Sequence, residues 1–110
     1  MDAQARFDAL VEELSGEAGV QLPDEAGGRR FGAHTLRHDG TIVAMLVDAA
    51  VVLKLPGDRV SELVASGRGA PWDAGPGRRM RQWMTVVDDD PAMTLALGRE
   101  ALEFARTRRR

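Results

Sequence analysis

The sequence contains no cysteine, a single lysine and few aromatic residues. Without cysteine the chain can form neither a disulfide bond nor a metal site with thiolate ligands. Long apolar runs are also missing: the longest, at 41–47, is far shorter than the roughly 20 residues that cross a bilayer. The first residues are acidic, whereas a secretion signal begins with positive charge and an apolar run. We therefore expect a cytoplasmic protein without a membrane segment.

The length and composition are those of one small globular domain. The chain has 110 residues, of which 44% are apolar and 29% charged. These values are typical of a folded protein, and the length suits a single domain over 1–110. Within it we expect an N-terminal helix and loop at 1–27 and a basic tail at 107–110. Residues 21–30 lack any periodicity, which predicts that they form a loop.

The charge is nearly balanced in total but uneven along the chain. The formal net charge is −2, with seven acids against Arg6 alone in residues 1–25 and nine bases against five acids in residues 26–81. Fourteen of the fifteen basic residues are arginine. A dedicated DNA-binding domain of this size is usually strongly basic as a whole. The composition therefore does not favour nucleic-acid binding.

Two of three predicted helices lie in the first two thirds of the chain. The first follows Asp2, a residue type that caps helix N-termini, and its apolar stripe consists of Phe7, Leu10, Val11 and Leu14. The second is predicted to begin at Asp58, as its cap, and to end at Gly67, as its C-terminal glycine.

The third helix has the clearest start signal. Asp90 is a capping residue, and Pro91 suits the first helical position because its missing N–H has no partner there in any case. The apolar face continues to about Arg106. Gly98 lies in the middle, where glycine costs about 1 kcal/mol relative to alanine. We expect a neighbouring element to approach closely at that position.

Five β-strands are predicted between these helices. Asp39-Gly40 is the strongest short signal for a hairpin, and β-branched apolar residues follow at 41–47. A strand at 51–55 completes a three-stranded meander, and a second hairpin joins strands at 70–73 and 78–87. The order α-β-β-β-α-β-β-α predicts a two-layer α+β domain with a five-stranded antiparallel sheet.

Several of these features together resemble a known family. The segment RRFGAHTLRHDGTIVAMLVDAAVVLKL, followed by GRRMRQWMTV, is similar to the N-terminal domain of the TfoX/Sxy competence-regulator family. The closing REALEFAR resembles that family's last helix, and the resemblance extends over about residues 28–106. The matching positions are Phe31-Gly32, Asp39-Gly40, Leu53-Lys54, Gly77-Arg78, Met80 and Trp83.

The resemblance implies a two-layer α+β fold with this element order. It also implies a cytoplasmic and often regulatory role, without agreed catalytic residues. Arg30 stands where the family usually has methionine, and Ala33 stands where it has a second glycine. Because the full-length regulators add a C-terminal helical domain, we do not expect the competence role to carry over. The YjbR-type proteins, which have a predicted DNA-binding fold, are the alternative assignment.

No residue pattern typical of catalysis is found. His34 and His38 would lie about 13 Å apart along one face of a strand, and zinc–nitrogen bonds are only about 2 Å long. The acidic run at 88–90 suits a loop and helix cap better than a magnesium site. GPGRR lacks the lysine and hydroxyl residue of a phosphate loop, so a hairpin is favoured over an anion site. We therefore predict no catalytic residue, metal or cofactor.

The central and last strands are apolar in a way that suggests a contact surface. In the last strand Arg81 and Trp83 alternate with residues of the opposite face, and the strand at 41–47 is apolar on both faces. Either everything there is internal core, or another layer covers the second face. That cover would be the last helix, around Phe104, or another protein chain. The candidate interface residues are Trp83, Arg81, Met45 and Phe104.

Three functions follow as hypotheses. The leading one is a non-enzymatic domain that acts through protein–protein contact, with an unknown protein or with a second copy as a homodimer. The second is a nucleic-acid-binding module that uses Arg78, Arg79, Arg81 and the basic tail. It requires these arginines to lie on one surface with Arg29, Arg30 and Arg37. The third is a small ligand-binding domain or enzyme, which requires a concave pocket with perturbed titratable groups.

A packing expectation accompanies these hypotheses. Leu53 is in phase with apolar strand neighbours, whereas Leu36 lies between two polar residues. We therefore expect truncation of Leu53 to be much more damaging than truncation of Leu36.

Overall fold

The computed structural model describes residues 2–23, 34–75 and 78–107, with the backbone alone described for 73–75 and 78–80. These residues form an α+β domain, as predicted, with an antiparallel sheet in the order β1-β2-β3-β4-β6-β5. The described helices are α1 (Ala3–Leu14), α2 (Gly57–Ala65) and α3 (Pro91–Thr107). The described strands are β1 (Val20–Gln21), β2 (Thr35–His38), β3 (Thr41–Val47), β4 (Ala50–Lys54), β5 (Gly69–Gly75) and β6 (Arg78–Val86).

The described residues form a sheet of six strands, so the prediction of five is wrong by one. The additional strand, β1, pairs Val20 with His38 and Gln21 with Arg37 at the edge of the sheet. Two residues are too few to show the alternation of apolar and polar side chains that marks a strand. The side-chain oxygen of Gln21 also accepts a hydrogen bond from the Gly40 N–H at 2.7 Å, which ties β1 to the following hairpin.

Both hairpins of the meander turn through two residues in the left-handed region. Asp39 and Gly40 have φ values of 48° and 86°, which confirms the predicted Asp-Gly hairpin between β2 and β3. Asp48 and Ala49 make the corresponding turn between β3 and β4, with φ values of 52° and 61°. Ala49 adopts this conformation with a Cβ atom, which is costly for any residue except glycine.

The predicted caps of α1 and α3 are present. The Asp2 carboxylate accepts a hydrogen bond from the Ala5 N–H at 2.8 Å. The Asp90 carboxylate accepts one from the Ala92 N–H at 3.0 Å, with Pro91 as the first helical residue. Each bond satisfies a backbone donor that the first helical turn leaves without a partner.

The predicted start of α2 is wrong, whereas its end is as expected. Pro56 occupies the N-cap position without a side-chain hydrogen bond, and Asp58 lies in the first turn. There its negative charge still favours the positive end of the helix. Gly67 has a φ of 83°. The Gly67 N–H donates to the Val64 carbonyl and the Arg68 N–H donates to the Leu63 carbonyl, both in the last turn of α2. This pattern is a glycine-terminated helix end.

A row of buried residues across the sheet forms the floor of the core. Leu36 pairs with Ala44, Ala44 with Leu53, and Leu53 with Met84, and all four are fully buried. The expectation that Leu36 contributes much less than Leu53 therefore rests on a wrong premise. Its polar sequence neighbours point to the other face of the sheet, so they say nothing about the burial of Leu36 itself.

The three described helices all pack on this one face. Helices α1 and α3 contact each other and lie over β3 and β4, while α2 lies over β5 and β6. Leu10 and Leu97, from α1 and α3, and Leu63, from α2, belong to the same core cluster as Leu53. Leu10 packs so tightly on Gly98 that a Cβ atom at that position would overlap its side chain. This confirms the predicted close approach at Gly98.

Ion pairs connect the helices on their outer sides. Arg99 contacts Glu13 at 2.8 Å and Glu17 at 3.2 Å, and Arg106 contacts Glu17 at 2.8 Å. The hydrogen bonds from Arg106 and then Arg99 lower the pKa of Glu17. Between α2 and α3, the Arg59 guanidinium donates two hydrogen bonds to the Glu100 carboxylate. Nε donates to one oxygen at 2.8 Å and Nη2 to the other at 3.0 Å.

Candidate functional site

Strand residues that point away from the helices form a second surface, which we call the open face. Because side chains alternate along a strand, the neighbours of the buried row lie on it. Strand pairing joins five of them into one row across the sheet. Val52, in the middle, is fully buried, yet it does not belong to the core cluster beneath the helices. The row consists of Thr35, Met45, Val52, Thr85 and Ala70.

A second row of the open face owes its composition to an irregularity in β3. The register shifts between Leu36 and Arg37, and Val43 and Ala44 are both buried in the core. The alternation of side chains between the two faces of the sheet is therefore interrupted at Val43. Ile42 lies on the open face, as does its pairing partner Arg37. Lys54 and Trp83, which pair across β4 and β6, lie on the same face because each is two residues from a member of the first row.

Two tryptophans and a lysine form a cluster on the open face. The ring centroids of Trp72 and Trp83 are 5.7 Å apart, with the ring planes tilted by 54°. The Lys54 ammonium nitrogen lies 5.5 Å from the centroid of the Trp83 ring, within cation–π distance. Both tryptophans are partly buried. The cluster thus places aromatic surface and positive charge side by side.

The cover expected over Trp83 is only partly found. We expected burial by something outside the sheet, either another chain or α3 around Phe104. The described contacts of Trp83 instead come from the sheet itself, through Trp72 and Lys54. Helix α3 packs on the opposite face, so it does not pass behind Trp83. The alternation of β6 places Arg81 beside Trp83, and Arg81 is exposed.

The candidate interface residues consequently fall on two surfaces. Trp83, Arg81 and Met45 share the open face, whereas Phe104 lies in the helix layer. There Phe104 lines a shallow groove of about 560 Å³ between α2 and α3. Its charged side chains are engaged in ion pairs: Arg59 with Glu100 inside the groove, and Arg99 and Glu103 with residues outside it. The groove is lined by Pro56, Arg59, Ala96, Arg99, Glu100, Glu103, Phe104 and Thr107.

The predicted anion-contact residues lie in or beside segments outside the described residues. Arg29 and Arg30 lie outside the described residues, as does the tail from residue 108 onward. Arg78 and Arg79 begin β6, where their backbone pairs with β5.

The histidines and the acidic run occupy structural positions. His34 is exposed just before β2, and His38, in β2, lies 3.9 Å from the Asp39 carboxylate. Asp90 caps α3, while the Asp88 carboxylate accepts a hydrogen bond from the Asp90 N–H at 2.9 Å. Within the described ranges, no group of three His, Asp or Glu residues is arranged to hold a metal ion.

Arg6 is a buried charged residue that sequence patterns did not single out. Its guanidinium donates to the Asp88 carbonyl at 3.2 Å and to the Thr94 hydroxyl at 3.4 Å. These bonds connect α1 to the start of α3 and satisfy a buried charge, which gives Arg6 a structural role. Arg6 directly precedes Phe7, the first residue of the apolar stripe of α1, and both side chains are buried in the structure.

Comparison with known proteins gave no match to any family model, to any curated protein or to any solved structure. No helix in the described part of the chain combines the length and apolar character needed to cross a membrane.

Proposed function

We propose that this chain is a non-enzymatic, TfoX-like regulatory domain that acts in the cytoplasm by contact with another protein. The contact is made by the open face, around Trp83, Arg81 and Met45. The regulatory assignment comes from the resemblance in sequence motifs. The surface assignment comes from the arrangement of side chains on the sheet.

The observation that carries the proposal is the cluster of Trp72, Trp83 and Lys54. No described helix lies on the open face, and all three helices pack on its reverse. Tryptophan and arginine are enriched among the residues that dominate the energy of protein interfaces. A sheet face that carries two partly buried tryptophans next to the exposed Arg81 is therefore suited to recognise another chain.

Copies of the chain altered on one surface at a time test the proposal in the native host. Trp83→Glu and Arg81→Glu change the open face, and the exposed position of Arg81 means that its replacement leaves folding intact. Ala96→Glu changes an exposed position on α3 and serves as the control. Thermal unfolding establishes that each variant is folded.

We expect a stoichiometric partner to copurify with the wild type and the Ala96→Glu variant but not with either open-face variant. Size-exclusion chromatography of the purified chain separates a protein partner from self-association, because a homodimer survives purification and is lost in Arg81→Glu. Equal recovery of the partner with all folded variants would refute the assignment to the open face.

A further inference from the structure

The turn between β2 and β3 contains the one aspartate of the chain that is followed by glycine. Asp39 precedes Gly40, and the sequence contains no asparagine. The Asp39 side chain is 76% exposed, and a Cβ atom at Gly40 would meet nothing within 4 Å. The Asp39 carboxyl is thus accessible to water, and no side chain of residue 40 shields the amide that follows it.

An exposed aspartate followed by glycine can react with its own main chain. The Gly40 nitrogen, after loss of its proton, attacks Cγ of the protonated Asp39 carboxyl, and the carboxyl hydroxyl takes up a proton and leaves as water. The product is a cyclic succinimide. Water then opens the ring: cleavage of the bond from nitrogen to Cγ returns aspartate, and cleavage at the main-chain carbonyl gives isoaspartate. Water is lost once and gained once, so the net reaction is an isomerisation that needs no other reactant.

The Gln21 side chain holds the nitrogen that would attack. Its amide oxygen accepts a hydrogen bond from the Gly40 N–H at 2.7 Å, which is at the short end of the range for such bonds. The proton in this bond is the one that the nitrogen must lose, so the bond has to open before the ring can form. The Asp39 N–H also donates to the Gly19 carbonyl at 3.0 Å, which further restrains local opening of the turn.

The turn between β3 and β4 provides a comparison within the same molecule. Asp48 is exposed and left-handed like Asp39, with φ values of 52° and 48°. Alanine follows Asp48, so a methyl group lies beside the amide nitrogen. Among the side chains that the structure describes, none accepts a hydrogen bond from the Ala49 N–H. The Asp48 turn therefore lacks both the glycine and the side-chain acceptor.

We propose that Asp39–Gly40 is a site of spontaneous isomerisation to isoaspartate and that Gln21 slows this reaction. The main chain of isoaspartate is longer by a carbon atom, and a two-residue hairpin turn leaves no room for it. The modification would disrupt the pairing of His38 with Thr41 and loosen β1, which is bound to the same turn. This site is independent of the proposed function.

Incubation of the purified chain in heavy-oxygen water, at neutral pH and physiological temperature, tests the proposal. Trypsin releases residues 38–54 as one peptide, because Arg37 and Lys54 precede its two cleavage points, so both turns are measured together. Each passage through the succinimide incorporates a solvent oxygen. Electron-based fragmentation distinguishes isoaspartate from aspartate at each position. The variants are Gln21→Ala, Gln21→Glu and Ala49→Gly, and thermal unfolding establishes that each is folded.

We expect isoaspartate and solvent oxygen to accumulate at Asp39 of the wild type and not at Asp48. Gln21→Ala should accelerate the reaction at Asp39 about fivefold, the size expected for loss of one hydrogen bond. Gln21→Glu keeps an acceptor oxygen and should react like the wild type. Ala49→Gly should create a second site at Asp48 that reacts faster than Asp39, because no described side chain holds its glycine N–H.

Reaction at neither turn of the wild type, or at both turns equally, would overturn the assignment of the site. An unchanged rate in Gln21→Ala would overturn the role of Gln21, and so would a Gln21→Glu variant that reacts as fast as Gln21→Ala. Slower reaction at Asp48 than at Asp39 in the Ala49→Gly variant would also overturn this role, because hairpin rigidity would then control the rate without the Gln21 bond.

Discussion

Leu10 of α1 lies directly against Gly98 of α3, at a distance where no Cβ atom fits. The two helices approach closely at this point and enclose the same core cluster. Glycine lowers the intrinsic stability of a helix, but here it permits the packing of a fully buried leucine. A substitution that adds even one methyl group at Gly98 should therefore lower the stability of the folded protein.

Gly98→Ala should destabilise the protein, although alanine is the better helix former by about 1 kcal/mol. Overpacking of a filled core costs about 1–3 kcal/mol, and the new methyl group must displace Leu10. Gly16→Ala is the control, since a Cβ atom there meets nothing within 4 Å. Chemical denaturation measures both. In a Leu10→Ala background, Gly98→Ala should become stabilising; a loss of equal size in both backgrounds would contradict the packing argument.

Ala49→Gly should stabilise the protein by about 1 kcal/mol, because glycine adopts the left-handed conformation without the penalty of a Cβ atom. The turn between β3 and β4 requires that conformation at Ala49, where φ is 61°. Ala50→Gly, one residue later in β4, should be destabilising because strand residues have no such need. Thermal unfolding of the two variants compares them directly. The prediction is wrong if both glycines lower the melting temperature.

Leu36→Ala and Leu53→Ala should cause similar losses of about 2–5 kcal/mol, as is usual for fully buried leucines. Both side chains lie in the row beneath the helices and flank Ala44. Leu95→Ala, at a partly buried position of α3, should cost less. Urea denaturation gives the three values. A mild effect at Leu36 alone would show that the register of β2 is different.

The contribution of Glu17 to stability should disappear in acid. Hydrogen bonds from Arg106 and Arg99 lower the pKa of the Glu17 carboxyl in the folded state. The unfolded chain therefore binds a proton at Glu17 more readily than the folded chain does. The stabilisation is therefore present above the ordinary carboxyl pKa of 4.5 and is lost as the pH falls below it through the lower folded-state pKa. Glu17→Gln should lower the melting temperature at neutral pH, and the difference from the wild type should shrink in acid.

Glu12→Gln provides the matched control for this pH dependence. Glu12 is exposed on α1 and makes no ion pair with any residue that the structure describes. Its replacement should leave the melting temperature nearly unchanged at every pH. High salt should also reduce the effect of Glu17→Gln at neutral pH, because exposed ion pairs are screened. A difference that stays constant from neutral to acidic pH would contradict the role of the two arginines.

The sequence by itself determined the three helices, the Asp-Gly hairpin, the caps at Asp2 and Asp90 and the need for a close neighbour at Gly98. These features depend on interactions between residues a few positions apart, or on the backbone preference of one residue. Such local effects are encoded within a single stretch of chain. The alternation of β6 belongs to the same class and places Arg81 and Trp83 on one face.

Only the tertiary structure decided how these elements share the two faces of the sheet. The interruption of alternation at Val43, the burial of Leu36 and the edge strand β1 depend on pairing with distant segments. The same is true of α3, which could have covered Trp83 by its composition but packs with α1 on the reverse of the sheet. Apolar spacing shows that a helix has a buried face, but which surface it contacts depends on the packing of all layers together.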